Sequence, residues 1–461
     1  MSELVIEKKL REVEYQAEDY LKRYREQVET LESATFLGKV RGVQAWDVVQ
    51  LGKQLEKWEM LESMVKEDGG LASLGALPKV AFDVITVAYG NSVIPFIASV
   101  QNIEEERGNV YFKVIKRQDT GNTIIDPRTG AVLPSGLASN VVSDKVVATG
   151  DGSTTTFNVT LDSIPVRPET FEVKAGSAYG KDDGKGTILG VGVWGTIDYS
   201  TGAVELNFAS APASGEEIKV GYQVDIEGAN DLPSIGSVFE SIPVTARIYA
   251  LKGVVGLLQS YALRQRFGIV AEDELAKDLV VAINNEIGGD LIRKMNANPA
   301  GGTITWDKTP PSGVSYFEHK QTIKDSLADL EGKIVSNAGR GVINVIIAGA
   351  KVAAILSTLP GFEKVADGKA MGAHVFGTLD GVTVIRVNDA NALPGNVALG
   401  IYNPDNPFEG AAVYAPYMPL TTTELIPLSP NPLTNQKAAA VWAGVEVLVP
   451  QFVGKLNVQN A

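Results

Sequence analysis

Residues 271–298 read AEDELAKDLVVAINNEIGGDLIRKMNAN, and the rest of the chain is organised around this stretch. Leu275, Leu279, Ile283, Ile287, Leu291 and Met295 recur at every fourth position, the spacing of an apolar row along a helix. Glu272, Asp273 and Glu274 fall in the first turn, Arg293 and Lys294 in the last, and both placements suit the helix macrodipole. At 1.5 Å per residue the helix spans roughly 40 Å. Its apolar row predicts that Leu279, Ile283 and Ile287 lie against a sheet.

Upstream, VFESIPVTARIYA (238–250) alternates as a returning strand, and LLQSYALRQRFG (257–268) is a short helix. Downstream, VINVIIAGAKVAAILSTL (342–359) reads as a buried strand feeding a helix. HVFGTLDGVTVIRVND (374–389) and GNVALGIYN (395–403) read as strands, the first folded about an Asp-Gly turn. AAAVWAGVEVLVPQFVGKLNV (438–458) alternates as a strand pair or one bent strand. Toward the N-terminus, GNVYFKVIKRQ (108–118) is a strand candidate. Residues 119–136 follow with turn signals at Thr120-Gly121-Asn122 and Asp126-Pro127-Arg128-Thr129-Gly130. Residues 71–112 are apolar and poor in charge, and read as a helix followed by buried connections. Residues 1–68 hold 11 basic and 15 acidic side chains and two helical stretches, broken near Gly38 and Gly42. They read either as a helical hairpin at a domain edge or as an extended arm that packs on other copies or on a scaffold.

Residues 145–227 form a separate compositional block with 12 acidic and 6 basic residues. Short alternating runs repeat through it: TFNVTL (156–161), TFEVKAG (170–176), GTILGVGV (186–193), GTIDY (195–199), AVELNFA (203–209) and EIKVGYQV (217–224). Strands at this spacing argue a small β-sandwich or barrel. Alternation places Phe157, Val159, Leu161, Phe171, Val173, Ile197, Val204, Leu206, Phe208 and Val220 in its core.

Composition narrows the chemistry. The 461 residues carry 41 basic and 55 acidic side chains, a net charge of −14, which argues against a protein whose main task is gripping nucleic acid. Cysteine is absent, which excludes disulfides, thiol catalysis and thiolate metal sites. The two histidines, His319 and His374, cannot build a three-histidine metal site. No apolar run has the length of a membrane span and no signal-peptide core follows the charged start, so a soluble, cytoplasmically assembled protein is expected.

No candidate motif survives its own chemistry. Gly190-Val191-Gly192-Val193-Trp194-Gly195 fits a dinucleotide fingerprint by letters, but a strand and turn follow it where a helix is required. Asp182-Asp183-Gly184-Lys185 lacks the further oxygen ligands and closing Glu of a calcium loop, so a solvated turn is expected. Glu318-His319 has no second histidine in range; a surface or capped histidine is expected there, and a hydrogen-bonded one at His374. Lys113, Lys116 and Arg117 offer a phosphate site or, by preference, an intersubunit charge contact or plain solvated charge. Asn158-Val159-Thr160 matters as a sequon only on a secreted chain. No catalytic, cofactor or metal site residue is assigned, and the chain reads as a structural or binding protein rather than an enzyme.

Two stretches carry a resemblance. Residues 238–296, with V-T-A-R…A-L-K before a short helix and a D/E-E-L-containing long helix bearing I-N-N-E, resemble the major capsid proteins of T-even-like tailed phages. So do residues 375–458, most specifically Tyr414-Ala415-Pro416-Tyr417-Met418-Pro419-Leu420. The resemblance implies an α+β chain with the Hong Kong 97 type capsid fold. Its parts would be a helical N-terminal arm (1–70), an entry to the core (71–105), an outgoing E-loop strand (106–144) and a return strand (228–250). A peripheral domain (251–319) would hold the spine helix, an axial domain would cover 320–428, and peripheral closing strands 429–461. The block 145–227 would be an insertion in the E-loop, and it looks like the small Ig-like modules of phage structural proteins. In the arm, Leu10-Arg11-Glu12 matches the short cleavage pattern of the family's prohead protease.

The function implied is self-assembly into hexamers and other capsomers of an icosahedral head around double-stranded DNA, held without sequence-specific contacts. Partners implied are further copies of the chain and scaffolding, portal, vertex and decoration proteins, with no cofactor and no membrane. An encapsulin-like compartment shell is the alternative on the same fold. A carbohydrate-binding hydrolase is the alternative of another class.

Overall fold

The long strand Thr434–Val447 has a neighbour on each side and organises a five-stranded sheet. Arg247–Gly256 runs antiparallel to it in unbroken register from Arg247↔Ala443 to Gly256↔Thr434. On the other side lies Ala412–Thr422, with Ser99–Val100 parallel beyond it, and Ile426–Pro427 pairs near the strand's start. The register with Ala412–Thr422 slips between Pro416 and Met418. Pro416 and Pro419 have no N–H to give the ladder, so the strand bends there. This computed structural model describes residues 2–35, 37–67, 86, 89–90, 92–117, 123–126, 128, 131–132, 141–225, 235–268, 270–365, 372–404, 406–423, 426–427 and 433–460. The turn signal at 120–122 and most of the expected helix in 71–112 fall outside them.

The spine helix runs Ala271–Ala297 and packs on this sheet. Leu279, Ile283, Ile287, Leu291 and Met295 are buried as the spacing predicts, and Leu275 is partly buried against the same core. Each step of four residues overshoots a full turn by about 40°, so the row winds around the helix. Val280 and Ile292 widen it, and the core follows the row on more than one side. Lys294, near the C-terminal end, donates to the Val445 carbonyl at 2.7 Å and pairs with Glu446 at 3.0 Å.

A second, seven-stranded sheet has the order Gly302–Asp307, Val453–Gln459, Val397–Ile401, Val345–Gly349, Val382–Val387, Ala373–Leu379, Phe362–Lys364. Ile346, Ile347, Val384, Ile385, Leu399 and Leu456 are buried in it, and the helix Thr322–Ala338 presses Leu330 and Ile334 against it. The expected Asp-Gly turn is present, with Asp380 at φ 48° and Gly381 at φ 87°, the left-handed pair of a tight hairpin. The stretch expected as axial, 320–428, does not coincide with this sheet: Gly302–Asp307 and Val453–Gln459 belong to the sheet from outside the stretch, and Ala412–Thr422 within the stretch belongs to the five-stranded sheet. The C-terminal alternation hides the change because Val449-Pro450-Gln451-Phe452 makes a 3-10 turn that hands the chain from one sheet to the other.

The N-terminal part is helical over Ser2–Arg23, Arg25–Ala34 and Ala45–Glu67, with a single π-turn at Leu37–Arg41 between the last two. A four-stranded ribbon has the order Ile235–Thr245, Arg107–Arg117, Thr123–Asp126, Ala131–Val132. Within the stretch expected as one outgoing strand, 106–144, the described residues hold Arg107–Arg117 and two further short strands, of which Thr123–Asp126 runs antiparallel to the first. The return strand breaks once, at Ala246, between Ile235–Thr245 and Arg247–Gly256.

The chain divides into two compact units, one of residues 1–114, 126–130 and 238–461 and the other of residues 115–125 and 131–237. The second holds an antiparallel sheet of eight strands over Val141–Gln223. Five strands from Glu172–Ala175 to Ala203–Phe208 follow one another as neighbours. The two strands at the ends of the order, Val141–Thr149 and Thr156–Thr160, are consecutive in sequence and joined by residues 150–155 alone. That short link curls the sheet around one core. The module is all-β as expected, but its strands form one continuous sheet rather than the two facing sheets of an Ig sandwich, and its strand Val141–Thr149 takes in residues before 145. Leu161, Phe171, Val173, Ile197, Val204, Leu206, Phe208 and Val220 fill the core, with Phe157 packed at its side; Val159 is only half-buried.

Candidate assembly surfaces

Strand Arg247–Gly256 stands at one edge of the five-stranded sheet, and its two faces differ. Tyr249 and Val255 point into the core, and the Tyr249 hydroxyl reaches Asp290 of the spine helix at 3.2 Å. Burial beside Asp290 pushes the tyrosine's pKa up to about 12, so it stays a neutral donor. On the other face Ile248 and Val254 are exposed. A long edge with apolar side chains outward is a template for pairing with another chain unless something covers it.

The helix Leu257–Phe267 continues this surface, with the Leu257 N–H donating to the Leu433 carbonyl at 2.9 Å. None of its 11 residues is buried. Leu258 is 79% exposed and Tyr261 66%, and Leu257, Phe267 and Leu433 are also exposed. A helix this short is marginal in water without tertiary packing. Leu257, Leu258, Tyr261 and Phe267, beside Arg264 and Arg266, make a surface of the kind that marks a protein contact. The sequence shows a short helix here, and its LLQSYAL start is apolar on more than one side. What the sequence does not show is that the helix is left exposed among the described residues.

The N-terminal helical part is anchored by polar contacts that no motif announced. Arg41 donates to the Pro95 carbonyl at 2.9 Å and is ion-paired with the buried Asp47. Asp47 also accepts from the Gln44 N–H at 3.0 Å and the Tyr89 hydroxyl at 3.3 Å. Trp46 Nε1 donates to Val100 at 3.1 Å, and Lys57 Nζ donates to the carbonyls of Ile103 at 2.7 Å and Tyr417 at 3.1 Å. Burial lowers the Lys57 pKa, against the pull of Glu104. The helix Ala45–Glu67 is thus fastened to strand Ala412–Thr422 of its own chain.

The sequence candidates resolve into structural roles. Lys113 pairs at 3.4 Å with Glu409, which also holds Arg340 at 3.2 Å. This ion pair lies within one chain, where the sequence reading prefers an intersubunit contact or a solvated charge. The GxGxxG letters lie in a hairpin of Thr187–Val191 and Val193–Ile197 with Gly192 at φ 73° in the turn. A side chain on Gly190 would meet the Tyr179 carbonyl at 2.0 Å, so strand crowding, not a phosphate, demands that glycine. Asp182 corrects the solvated-turn reading. It is buried and accepts from Glu169 N at 2.8 Å, Phe171 N at 3.0 Å and the Tyr199 hydroxyl at 2.7 Å. Asp183 is the exposed turn residue, bonded to the N–H groups of Lys185 and Thr187 at 2.8 and 3.0 Å, which hold its pKa below the usual value.

His319 contacts the Asp307 carbonyl at 2.7 Å through Nε2 and stacks on Trp306 with centroids 5.1 Å apart. His374 is buried in Ala373–Leu379 opposite Arg386, and burial pulls its pKa down. The two histidines lie on different elements with different partners. Among the described residues no cluster of His, Asp and Glu could hold a metal ion, and no helix is long and apolar enough to cross a membrane.

Comparison with known proteins gives one family. The model for the major capsid protein Gp23 family matches residues 76–445. No curated protein matches the chain. Among solved structures, the capsid of Myoviridae phage XM1 is 10% identical with a TM-score of 0.32, covering 68% of this chain and 89% of that one. A chain from Mycobacterium phage Bobi is 11% identical with a TM-score of 0.34, covering 72% of this chain and 95% of that one. The classification rests on the family match, which spans the spine helix, most of both sheets and the all-β module. With its helical spine, ribbon and two sheets, the fold is that of the Hong Kong 97 type, and the protein is a structural component of a virion capsid. The chain belongs to the major capsid protein Gp23 family.

Proposed function

We propose that copies of this chain build the icosahedral head of a tailed phage by burying the edge strand Arg247–Gly256 and the helix Leu257–Phe267 between neighbours. The observation that carries this is the 11-residue helix with no buried residue, presenting Leu258 and Tyr261 to solvent. Residues 1–70 serve as the arm, 106–144 and 228–250 as the E-loop, and the all-β module as an insertion that meets neighbouring subunits, decoration molecules or the host surface. The seven-stranded sheet forms the axial domain, where subunits gather into hexamers. Assembly takes place in the host cytoplasm, with scaffolding, portal and vertex proteins completing the head. The packaged duplex is enclosed rather than read, in keeping with a charge of −14. The chain has no catalytic role. Many weak contacts suffice because avidity over the lattice sets shell stability.

Electron microscopy of the purified full-length chain tests this. Shells or hexameric capsomers are expected. A chain that stays monomeric at high concentration, with or without a scaffolding partner, would overturn the reading.

A further inference from the structure

The exposed helix Leu257–Phe267 has a counterpart of opposite charge in the same chain. Leu258, Tyr261, Arg264 and Phe267 recur at every third position, so they neighbour one another along one side of the helix. All four are exposed, and so is Arg266. Neither arginine side chain forms an ion pair among the described residues. This side therefore joins apolar bulk to two positive charges that its own chain does not neutralise.

The first helix, Ser2–Arg23, presents the opposite combination. Its inner side is taken by its own chain. Tyr20 packs so tightly on Gly52 of the helix Ala45–Glu67 that a side chain on Gly52 would meet the tyrosine ring at 2.4 Å, and the Tyr20 hydroxyl donates to Glu56 at 2.8 Å. The outer side is left with Glu14, Glu18 and Leu21, spaced i, i+4 and i+7, and with Tyr15 next to them, 75% exposed. Glu14 and Glu18 are like charges at i and i+4, an arrangement that a helix disfavours without a cation nearby. Neither makes an ion pair among the described residues. The arginines that follow are engaged with other acids, Arg23 with Glu56 at 3.4 Å and Arg25 with Glu29 at 2.8 Å.

We propose that the outer side of Ser2–Arg23 in one copy docks on the helix Leu257–Phe267 of a second copy. Tyr15 and Leu21 lie against Leu258 and Tyr261, and Glu14 and Glu18 face Arg264 and Arg266. Two features select this occupant. The charges are opposite, and both sides set their charges beside exposed apolar groups, so one contact desolvates the apolar groups and pairs the charges together. The exposed run Glu104-Glu105-Glu106 offers the charge alone, with no exposed apolar side chain beside it in sequence. A contact between two helices is small, and repetition over a lattice makes it sufficient. The inference rests on the assembly reading and deepens it by naming two surfaces that meet.

The test is charge exchange in the full-length chain. Arg264→Glu with Arg266→Glu, and separately Glu14→Lys with Glu18→Lys, are each expected to lower the assembled fraction in sedimentation at least ~10-fold by setting like charges against each other. The four-residue variant exchanges the signs and should restore assembly to within ~3-fold of wild type. All four side chains are exposed, and circular dichroism melts check that each variant folds. Because the chain has no cysteine, Tyr15→Cys with Tyr261→Cys gives a covalent readout: oxidised assemblies should run as a ladder of linked chains on a non-reducing gel. Wild type that forms neither shells nor capsomers overturns the assembly reading and this pairing with it. Wild-type shells overturn the pairing alone if either charge-reversed pair assembles fully, if the four-residue variant restores nothing, or if no ladder forms. A disulfide closed within single chains likewise overturns it, since the occupant is then the chain's own first helix.

Discussion

Lys437 of the central strand places its ammonium 3.2 Å from Glu272 in the first turn of the spine helix, and the lysine side chain is only 7% exposed. The strand therefore carries a nearly buried cation whose partner arrives from a helix 165 positions away in sequence. Removing Glu272 strands that charge, whereas removing the charge itself leaves an apolar stem in an apolar setting. Glu272→Ala is expected to cost about 2 kcal/mol. Lys437→Met should cost less, and the double variant should resemble Lys437→Met. Urea unfolding midpoints of the full chain check this. Equal losses in the two single variants would mean that the ammonium is not desolvated in its site.

The spine helix gives a second test, because adjacent faces have opposite environments. Ile283 is 0% exposed and Val281 is 44% exposed. Ile283→Ala should cost about 2–5 kcal/mol through lost transfer energy and a cavity. Ile283→Asp should yield insoluble or unassembled protein, since a carboxylate there has no partner. Val281→Asp should leave the melting temperature nearly unchanged. Soluble yield and thermal melts separate the three variants, and a normally assembling Ile283→Asp chain would show that the helix face is misplaced.

What the sequence revealed divides along physical lines. The row Leu279 to Met295 and the alternation through Phe171, Leu206 and Phe208 were legible because burial on one face leaves a period in the residues themselves. Sheet membership was not. Thr434–Val447 and Val453–Gln459 alternate alike, and only tertiary pairing assigns them to different sheets. Asp182 was misread for a related reason: its letters match those of its exposed neighbour Asp183, and its burial comes from Glu169, Phe171 and Tyr199, which local spacing cannot place. The uncovered state of Leu257–Phe267 was equally illegible, because a sequence records that a segment is apolar and not whether its own chain covers it.

The all-β module supplies a prediction in pH. Its closed core argues that residues 141–225 expressed alone will unfold cooperatively with β-type circular dichroism. In the module's turns, Asp198 accepts hydrogen bonds from Ser200 N at 2.9 Å and Ser200 Oγ at 2.7 Å, which pull its pKa down to about 2; Asp183 is lowered by the N–H groups of Lys185 and Thr187. A carboxylate depressed in the folded state binds its proton more readily when unfolded. Its stabilisation is therefore present above the unfolded value near 3.9 and is lost as pH falls through the folded one. The module's melting temperature should fall between about pH 4 and pH 2. Asp198→Asn should melt lower at neutral pH and lose part of that slope. A melting temperature flat across this range would show that the turn carboxylates do not favour the folded state.

Folding and assembly should separate at the uncovered helix. Leu258 and Tyr261 touch too little of their own chain for substitution to unfold it, so Leu258→Glu with Tyr261→Glu should shift stability by less than about 1 kcal/mol. The same pair adds two charges to a surface that an assembled neighbour would desolvate, and a charge left unpaired in such an interface costs several kcal/mol per copy. Repeated at every subunit, that penalty should abolish shells while leaving folded chains or small oligomers. Circular dichroism melts report the first quantity, and analytical ultracentrifugation with electron microscopy the second. Lys252→Glu, an exposed change on the adjoining strand that keeps the apolar residues intact, should be the milder of the two. If the double variant forms shells at wild-type yield, the helix Leu257–Phe267 lies outside the subunit contacts, and the exposed edge strand alone would have to account for assembly at this end of the sheet.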